Sequence, residues 1–426
     1  MNPCINGTLY EYFGKTDNTC FPFLGILHQR SNVICEQARI ILQYRINQSV
    51  PLGNDRNLVL DFLTRVLNVF DVAFPPFFLV LLKESEETQT YTHHYRDHLL
   101  HTFYVFCLGC YVFDHSVFFR KFHKNSNEDC FRNWIVAAFF HDIGYCFAKS
   151  ENPNEYGLKV KSIINCSRDI KASYEFWSHL ILANPIDQSS TQDSFQSLFD
   201  NDRQFFIKVQ SMPNDLFSKE NNYYFSRFIG EANFIEDLLD FLTMEIMLPI
   251  DACYDIYERR KPQHGFQSSL LLIFLLKLKE WIITECKVRV RISEQEAKVS
   301  IANTRDGFLH GLLSIAFHDI QLICDKKVRI NDIKSPIIPL LAITDNLQCW
   351  DREYYYFGEP SDEQRAPIPP TLVNIEEKDG VLFWKHDDTQ DHIITKYAEY
   401  GSVIMDCSKF ICKEDVESII KDGNHE

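Results

Sequence analysis

The chain has 426 residues, 45% of them hydrophobic and 24% charged. That balance excludes a disordered or collagen-like chain and leaves room for about three structural units. A net charge of −16, from 43 basic and 59 acidic residues, repels polyanions and excludes broad nucleic-acid wrapping. A small basic pocket for one phosphorylated substrate stays open, and a short single strand in such a cleft is the less favoured partner.

With 15 Gly and 16 Pro against 35 Phe and 19 Tyr, the chain favours long helices over a Gly-rich β-sandwich or a nucleotide-binding α/β fold. No two glycines stand as G-x-G. Leu9 occupies the place where a phosphate loop ending at Gly14-Lys15-Thr16 would need its first glycine.

In chain order, residues 1–85 read as helices with polar punctuation, closing at Pro75-Pro76 and the acidic turn Glu84-Ser85-Glu86-Glu87. Asp61, Arg65, Asn68 and Asp71 interrupt the apolar stretch Leu58–Leu82, and Leu270–Leu276 is too short for a bilayer, so no membrane span is expected. The 14 Cys lack the even spacing of a secreted disulfide framework, and Met1-Asn2-Pro3-Cys4 opens no signal peptide. The expected setting is a reducing cytoplasm. Helical spacing recurs over Tyr91–Phe113 and about Cys130–Phe140. Cys107 and Cys110 have the spacing of a metal or redox pair, but no second pair accompanies them and their helix is apolar, which favours core packing.

Polar content rises between about 150 and 235, with Gln188–Asp193 as a loop signal, and this stretch reads as an insertion. Helices resume at Glu236–Met247, His264–Ile283, Gly307–Phe317 and Ile337–Trp350. Lys287–Ile292 alternates polar and apolar residues as a short strand does. Beyond Pro367–Pro370, Val373–Trp384 broken at Lys378-Asp379-Gly380 predicts a β-hairpin, and the tail from Cys412 a last helix. The expected architecture is mainly α. It has a helical N-terminal region (1–85), a helical domain over 86–352 carrying the insertion, and a small α/β segment (353–426).

The strongest chemical signal is His141-Asp142 at the end of the apolar run Ala137-Ala-Phe-Phe, followed by Ile143-Gly144-Tyr145. At a helix end both side chains can converge on one ion. Neutral imidazole with carboxylate suits Mn²⁺, Fe²⁺, Zn²⁺ or Mg²⁺. Upstream, His94, His98 and His101 share one helical face. Downstream, Asp345 interrupts the apolar helix Leu340–Trp350, where an unpaired carboxylate would cost several kcal/mol. A second pair, His318-Asp319, ends the Gly307 helix. His264 follows Pro262 at the start of another helix.

The order His, His-Asp, then a distant Asp on a helix resembles the HD superfamily of metal-dependent phosphohydrolases, over roughly residues 90–145 and 235–352. The resemblance implies an HD-type helical bundle with His101, His141, Asp142 and Asp345 around one ion. His98, one turn from His101, stays open as the alternative first ligand. Members with two-metal centres, including the HD-GYP phosphodiesterases, place further histidines before the last Asp; His264 and His318 resemble those, with Asp142 bridging. The GYP motif is absent. The implied reaction is hydrolysis of a nucleotide or other small phosphorylated molecule, with one or two divalent ions per chain as cofactor.

Asp142, Arg96 and His310 are the catalytic candidates: Arg96 for its nearness to His101, and His310 as a substrate or proton-transfer group eight residues before His318. The clusters Arg259-Arg260-Lys261 and Lys326-Lys327 with Arg329 flank candidate ligands and either frame a phosphate or are solvated helix ends. For the whole histidine–aspartate set the plain alternative is a hydrogen-bonded structural cluster. Two other functions fit the same ligands. One is a diiron HD-type oxygenase. The other is a non-catalytic HD module that senses a nucleotide or binds a partner, which Tyr145 favours because many hydrolytic relatives carry a basic residue there.

Overall fold

The computed structural model describes residues 4–16, 20–47, 52–70, 72, 98–116, 119, 122–125, 127–143, 264–265, 268–269, 272, 308–318, 335–348, 350, 373–378 and 381–386. These are mostly helical. The helices are α1 (Ile5–Phe13), α2 (Pro22–Arg30), α3 (Asn32–Asn47), α4 (Leu52–Val69), α5 (His98–His115), α6 (Glu128–Phe140), α7 (Leu309–Phe317) and α8 (Ile337–Leu347). A hairpin of β1 (Val373–Lys378) and β2 (Val381–His386) completes them, pairing antiparallel from Val373 opposite His386 to Lys378 opposite Val381. It lies where the alternation around Lys378-Asp379-Gly380 predicts it. Among the described residues, no helix is long and apolar enough to cross a membrane.

Among the described elements, helix α5 is the central one. All of its 18 residues are buried, as suits a sequence apolar on every face. Against it pack α1, α2, α4, α6 and α8, and β2 touches it as well, while β1 lies on α1. One hydrophobic core runs from Ile5 and Leu9 through Phe103 and Trp134 to Leu340 and Val373, so α1–α4 share their apolar interior with the helices that follow. Cys107 and Cys110 are fully buried in this core, and burial raises both thiols well above their ordinary pKa, which makes them inert packing residues.

Two glycines let the helices come close enough. A Cβ at Gly109 of α5 would lie 1.9 Å from Cζ2 of the buried Trp134 on α6. One at Gly311 of α7 would lie 2.8 Å from the Asn133 carbonyl. Asn133 fixes that second crossing, its Oδ1 accepting from Gly311 N at 2.7 Å. Helix α6 itself starts where Asn127 caps it, Oδ1 accepting from Cys130 N at 2.9 Å, with Glu128 and Asp129 complementing the helix dipole. Its register then delivers His141 to the C-terminal end.

Some expectations need adjusting. The Ile337 helix stops at Leu347 rather than Trp350, because Gln348 turns to φ −74°, ψ 87° and its side chain engages the Trp350 backbone. The Gly307 helix begins at Leu309. Of the Tyr91–Phe113 helix, the stretch from His98 is described, and it runs on to His115. The insertion at 150–235, Glu236–Met247, Lys287–Ile292 and the tail from Cys412 lie outside the described residues.

Candidate metal centre

Four helix ends and one further helical stretch meet at a single buried point. His98 and His101 come from the first turn of α5, and His141 and Asp142 follow α6. His318 follows α7, and Asp345 sits in the last turn of α8. The helical stretch holding His264 arrives from the side, tied down by Ser268, whose Oγ is 2.6 Å from the His141 carbonyl and 2.9 Å from that of His264. Gly265 permits this approach, since a Cβ there would stand 2.5 Å from Ile315 O and 2.7 Å from Cε1 of His318.

The α6 and α7 ends use the same local device. A helix leaves its last carbonyls without intrahelical partners. His141, the C-cap of α6, donates Nδ1–H to Ala138 O at 3.0 Å, and His318, the C-cap of α7, donates Nδ1–H to Ile315 O at 2.6 Å. Each ring is thereby fixed in the tautomer that leaves the Nε2 lone pair facing inward. His101 reaches the same state by another route. Gln348 gives its amide N–H to Trp350 O, so its Oε1 must accept from His101 Nδ1–H, at 2.6 Å.

These lone pairs then face one another. His101 Nε2 lies 3.1 Å from His141 Nε2 and 2.9 Å from Asp345 Oδ1. It lies 3.5 Å from Asp142 Oδ2, and His141 Nε2 is 3.5 Å from both Asp142 Oδ1 and Asp345 Oδ1. Across the site His264 Nε2 and His318 Nε2 are 3.0 Å apart, and Asp142 Oδ1 is 3.6 Å from the first and 4.0 Å from the second. Two groups with metal-binding spacing result, His101–His141–Asp142 and Asp142–His264–His318, with Asp142 in both.

A set of acceptors facing acceptors is repulsive unless positive charge sits among them. A proton can relieve one contact at a time; a divalent ion relieves all of them. Ligand atoms about 2.1 Å from an ion stand about 3.0 Å apart when cis in an octahedron and about 3.4 Å apart in a tetrahedron. The separations here match, so the residues fit a bound metal. Their electrostatics agree. Burial opposes ionisation of Asp142, yet His141, His98 and His101 hold it well below the usual carboxylate range, and His101 and His141 do the same for Asp345. Burial also opposes charge on His141, but Asp142 and Asp345 outweigh it and raise its pKa. Burial and the facing His318 push His264 down to about 3, keeping it a neutral donor.

The sequence left His98 and His101 open as first ligand. In the structure His101 points into the cluster, and His98 Nδ1 instead meets the outer face of Asp142, 3.0 Å from Oδ2. Exposure is greatest at the Asp345 side chain, 21%, and at His264, 14%, which marks the side from which solvent reaches the site.

His310 requires a correction. It is exposed at the start of α7, at the far end of that helix from His318. Eight residues advance a helix by about 12 Å and leave the side chain about 80° off the original face, so the spacing does not bring it to the centre. Arg96, Tyr145, Asp319 and the clusters around Arg259 and Lys326 lie outside the described residues. Sequence reasoning missed Gln348 and Ser268. No protein-family model, curated protein or solved structure matches the chain.

Proposed function

We propose that the chain is an HD-type metal-dependent phosphohydrolase acting on a nucleotide or another small phosphorylated molecule. The observation that carries the reading is the convergence of four Nε2 atoms and two carboxylates, neighbouring atoms standing 2.9–4.0 Å apart, with the Nδ1 protons of His101, His141 and His318 committed elsewhere. The order of those residues along the chain, and its resemblance to the HD superfamily, supplies the phosphoester element of the proposal.

His101, His141, Asp142 and Asp345 would hold one divalent ion, and His264 and His318 would hold a second with Asp142 shared. Such ions activate water as a nucleophile and neutralise charge on a phosphoryl group. The protein supplies preorganisation. The bonds to Ala138 O, Ile315 O and Gln348 fix the imidazoles before any ligand arrives, and His98 holds Asp142 against rotation. No side-chain nucleophile is needed, which agrees with the absence of a Gly-x-Ser-x-Gly elbow from the sequence. The all nitrogen and oxygen donor set accommodates Mn, Fe, Zn or Mg.

The test is metal analysis of the purified chain, followed by turnover of phosphomonoesters and phosphodiesters with Mn²⁺. One to two ions per chain and hydrolysis that Asp142→Asn abolishes but Asp319→Asn largely spares are expected. Activity that requires Fe and O₂ instead would make the protein an oxygenase. Tight metal binding with no turnover of any phosphoester would make it a sensing or binding module.

A further inference from the structure

Beyond its ligands, the centre is wired to the opposite end of the sequence. His101 Nδ1–H donates to Gln348 Oε1 at 2.6 Å, and Gln348 Nε2–H donates to Trp350 O at 2.5 Å. Trp350 Nε1–H donates to Asn6 Oδ1 at 3.2 Å, and Asn6 Nδ2–H donates to Tyr104 OH at 3.1 Å. Asn6 lies on α1, and Tyr104 on α5 one turn beyond His101. Every member is buried: Asn6, Tyr104 and Trp350 at 0%, Gln348 at 1% and His101 at 3% exposure. The rings of Tyr104 and Trp350 pack at 5.2 Å between centroids.

A buried amide must satisfy both of its ends, so it transmits orientation. Because Trp350 O can only accept, the Gln348 amide has one possible orientation, and that orientation forces the proton of His101 onto Nδ1. Asn6 acts in the same way, a step further out. Its carbonyl takes the indole N–H, which fixes the indole plane and so the backbone segment to which Gln348 is anchored.

We propose that α1 belongs to the metal centre, with Gln348 and, through Trp350, Asn6 as positioning residues that hold His101 with Nε2 toward the ion. The proposal rests on the reading of His101 as a ligand. Outer partners of metal-bound imidazoles commonly govern affinity by 10- to 100-fold. Gln348→Leu removes the acceptor for Nδ1–H and frees the ring to rotate or change tautomer. Gln348→Glu keeps that acceptor while giving up the bond to Trp350.

The experiment is Co²⁺ titration of the full chain against a competing chelator, with the visible cobalt spectrum recorded for each variant. Gln348→Leu should weaken the tighter site by about 10-fold or more and alter the ligand-field bands, Asn6→Leu should weaken it by about threefold, and Gln348→Glu should stay within about threefold of the wild type. Wild-type affinity in Gln348→Leu, with His101→Ala losing the ion, overturns the proposal and leaves the ligand assignment standing. Full occupancy in His101→Ala overturns the ligand assignment itself. Where Gln348→Leu does not fold, Asn6→Leu decides: wild-type affinity and an unchanged cobalt spectrum there overturn the proposal.

Discussion

The two ends of α5 both bury acids and histidines, yet they differ in hydrogen-bond balance. At the C-terminal end Asp114 Oδ1 accepts from Phe23 N at 2.9 Å, and Oδ2 accepts from Leu24 N at 3.0 Å and from Tyr12 OH at 2.6 Å. The two N–H groups belong to the first turn of α2, which has no cap of its own, so Asp114 caps that helix from a distance. Next to it His115 donates Nδ1–H to Tyr111 O and accepts from Lys15 Nζ, both at 2.9 Å. Each acceptor there meets a donor. At the N-terminal end the imidazole lone pairs and carboxylate oxygens meet one another. Burial and residue type are shared by the two clusters; among the described contacts, the facing of acceptor on acceptor sets the candidate metal centre apart.

Replacing the acid in each cluster should give opposite losses. Asp142→Ala should strip both groups of metal, leaving elemental analysis near zero. Asp114→Ala should keep the full metal content and lose about 3 kcal/mol or more of stability in denaturant unfolding, because three buried donors are left without an acceptor. Metal loss in Asp114→Ala with retained folding would erase the distinction between the clusters.

Proton linkage sharpens the contrast. Burial pushes the Asp114 carboxyl from 3.8 up to about 7, although its donors pull it down. A carboxyl raised on folding binds a proton that the unfolded chain has released, so its stabilisation is complete below about pH 4 and is lost as pH rises through about 7. Against Asp114→Asn, which cannot ionise, the wild type should lose up to roughly 4 kcal/mol of relative stability across that window. A stability difference between the two that does not change with pH would show that Asp114 stays ionised.

A smaller effect separates the halves of the centre. Gly265→Ala should displace His318 and cost about one ion per chain, sparing the group built on His101, because the new Cβ meets both Ile315 O and the His318 ring. Unchanged occupancy would place the second group elsewhere. His310→Ala, at an exposed site, should leave metal content unaltered.

The helices of the centre were legible because apolar residues recur at helical spacing. The candidate ligands were legible because His141, His318 and Asp345 interrupt that pattern near helix ends, where side chains can converge. Gln348 carried no such mark. It reaches the cluster only because the helix ends one residue before it and turns its amide between His101 and Trp350. Asn6 looks like any polar residue of a half-buried helix, and its partners lie 98 and 344 residues away in the chain. His310 was misplaced because two turns of helix do not close on eight residues.

The reach from Asn6 to Trp350 also bears on how the protein comes into being. At about 5–20 residues per second, a ribosome that has just added Asn6 needs about 20 to 70 s to reach Trp350. Over that interval Asn6 lacks its indole partner, and from the time they are made His101 lacks Gln348 and α5 lacks α8. Helices α1 to α6 can gather while synthesis proceeds, but the candidate metal site can close only after the late residues arrive. Nascent chains paused before residue 348 should therefore leave uncovered the face of α5 that α8 packs against in the finished protein, and chaperone binding should be strongest at that stage.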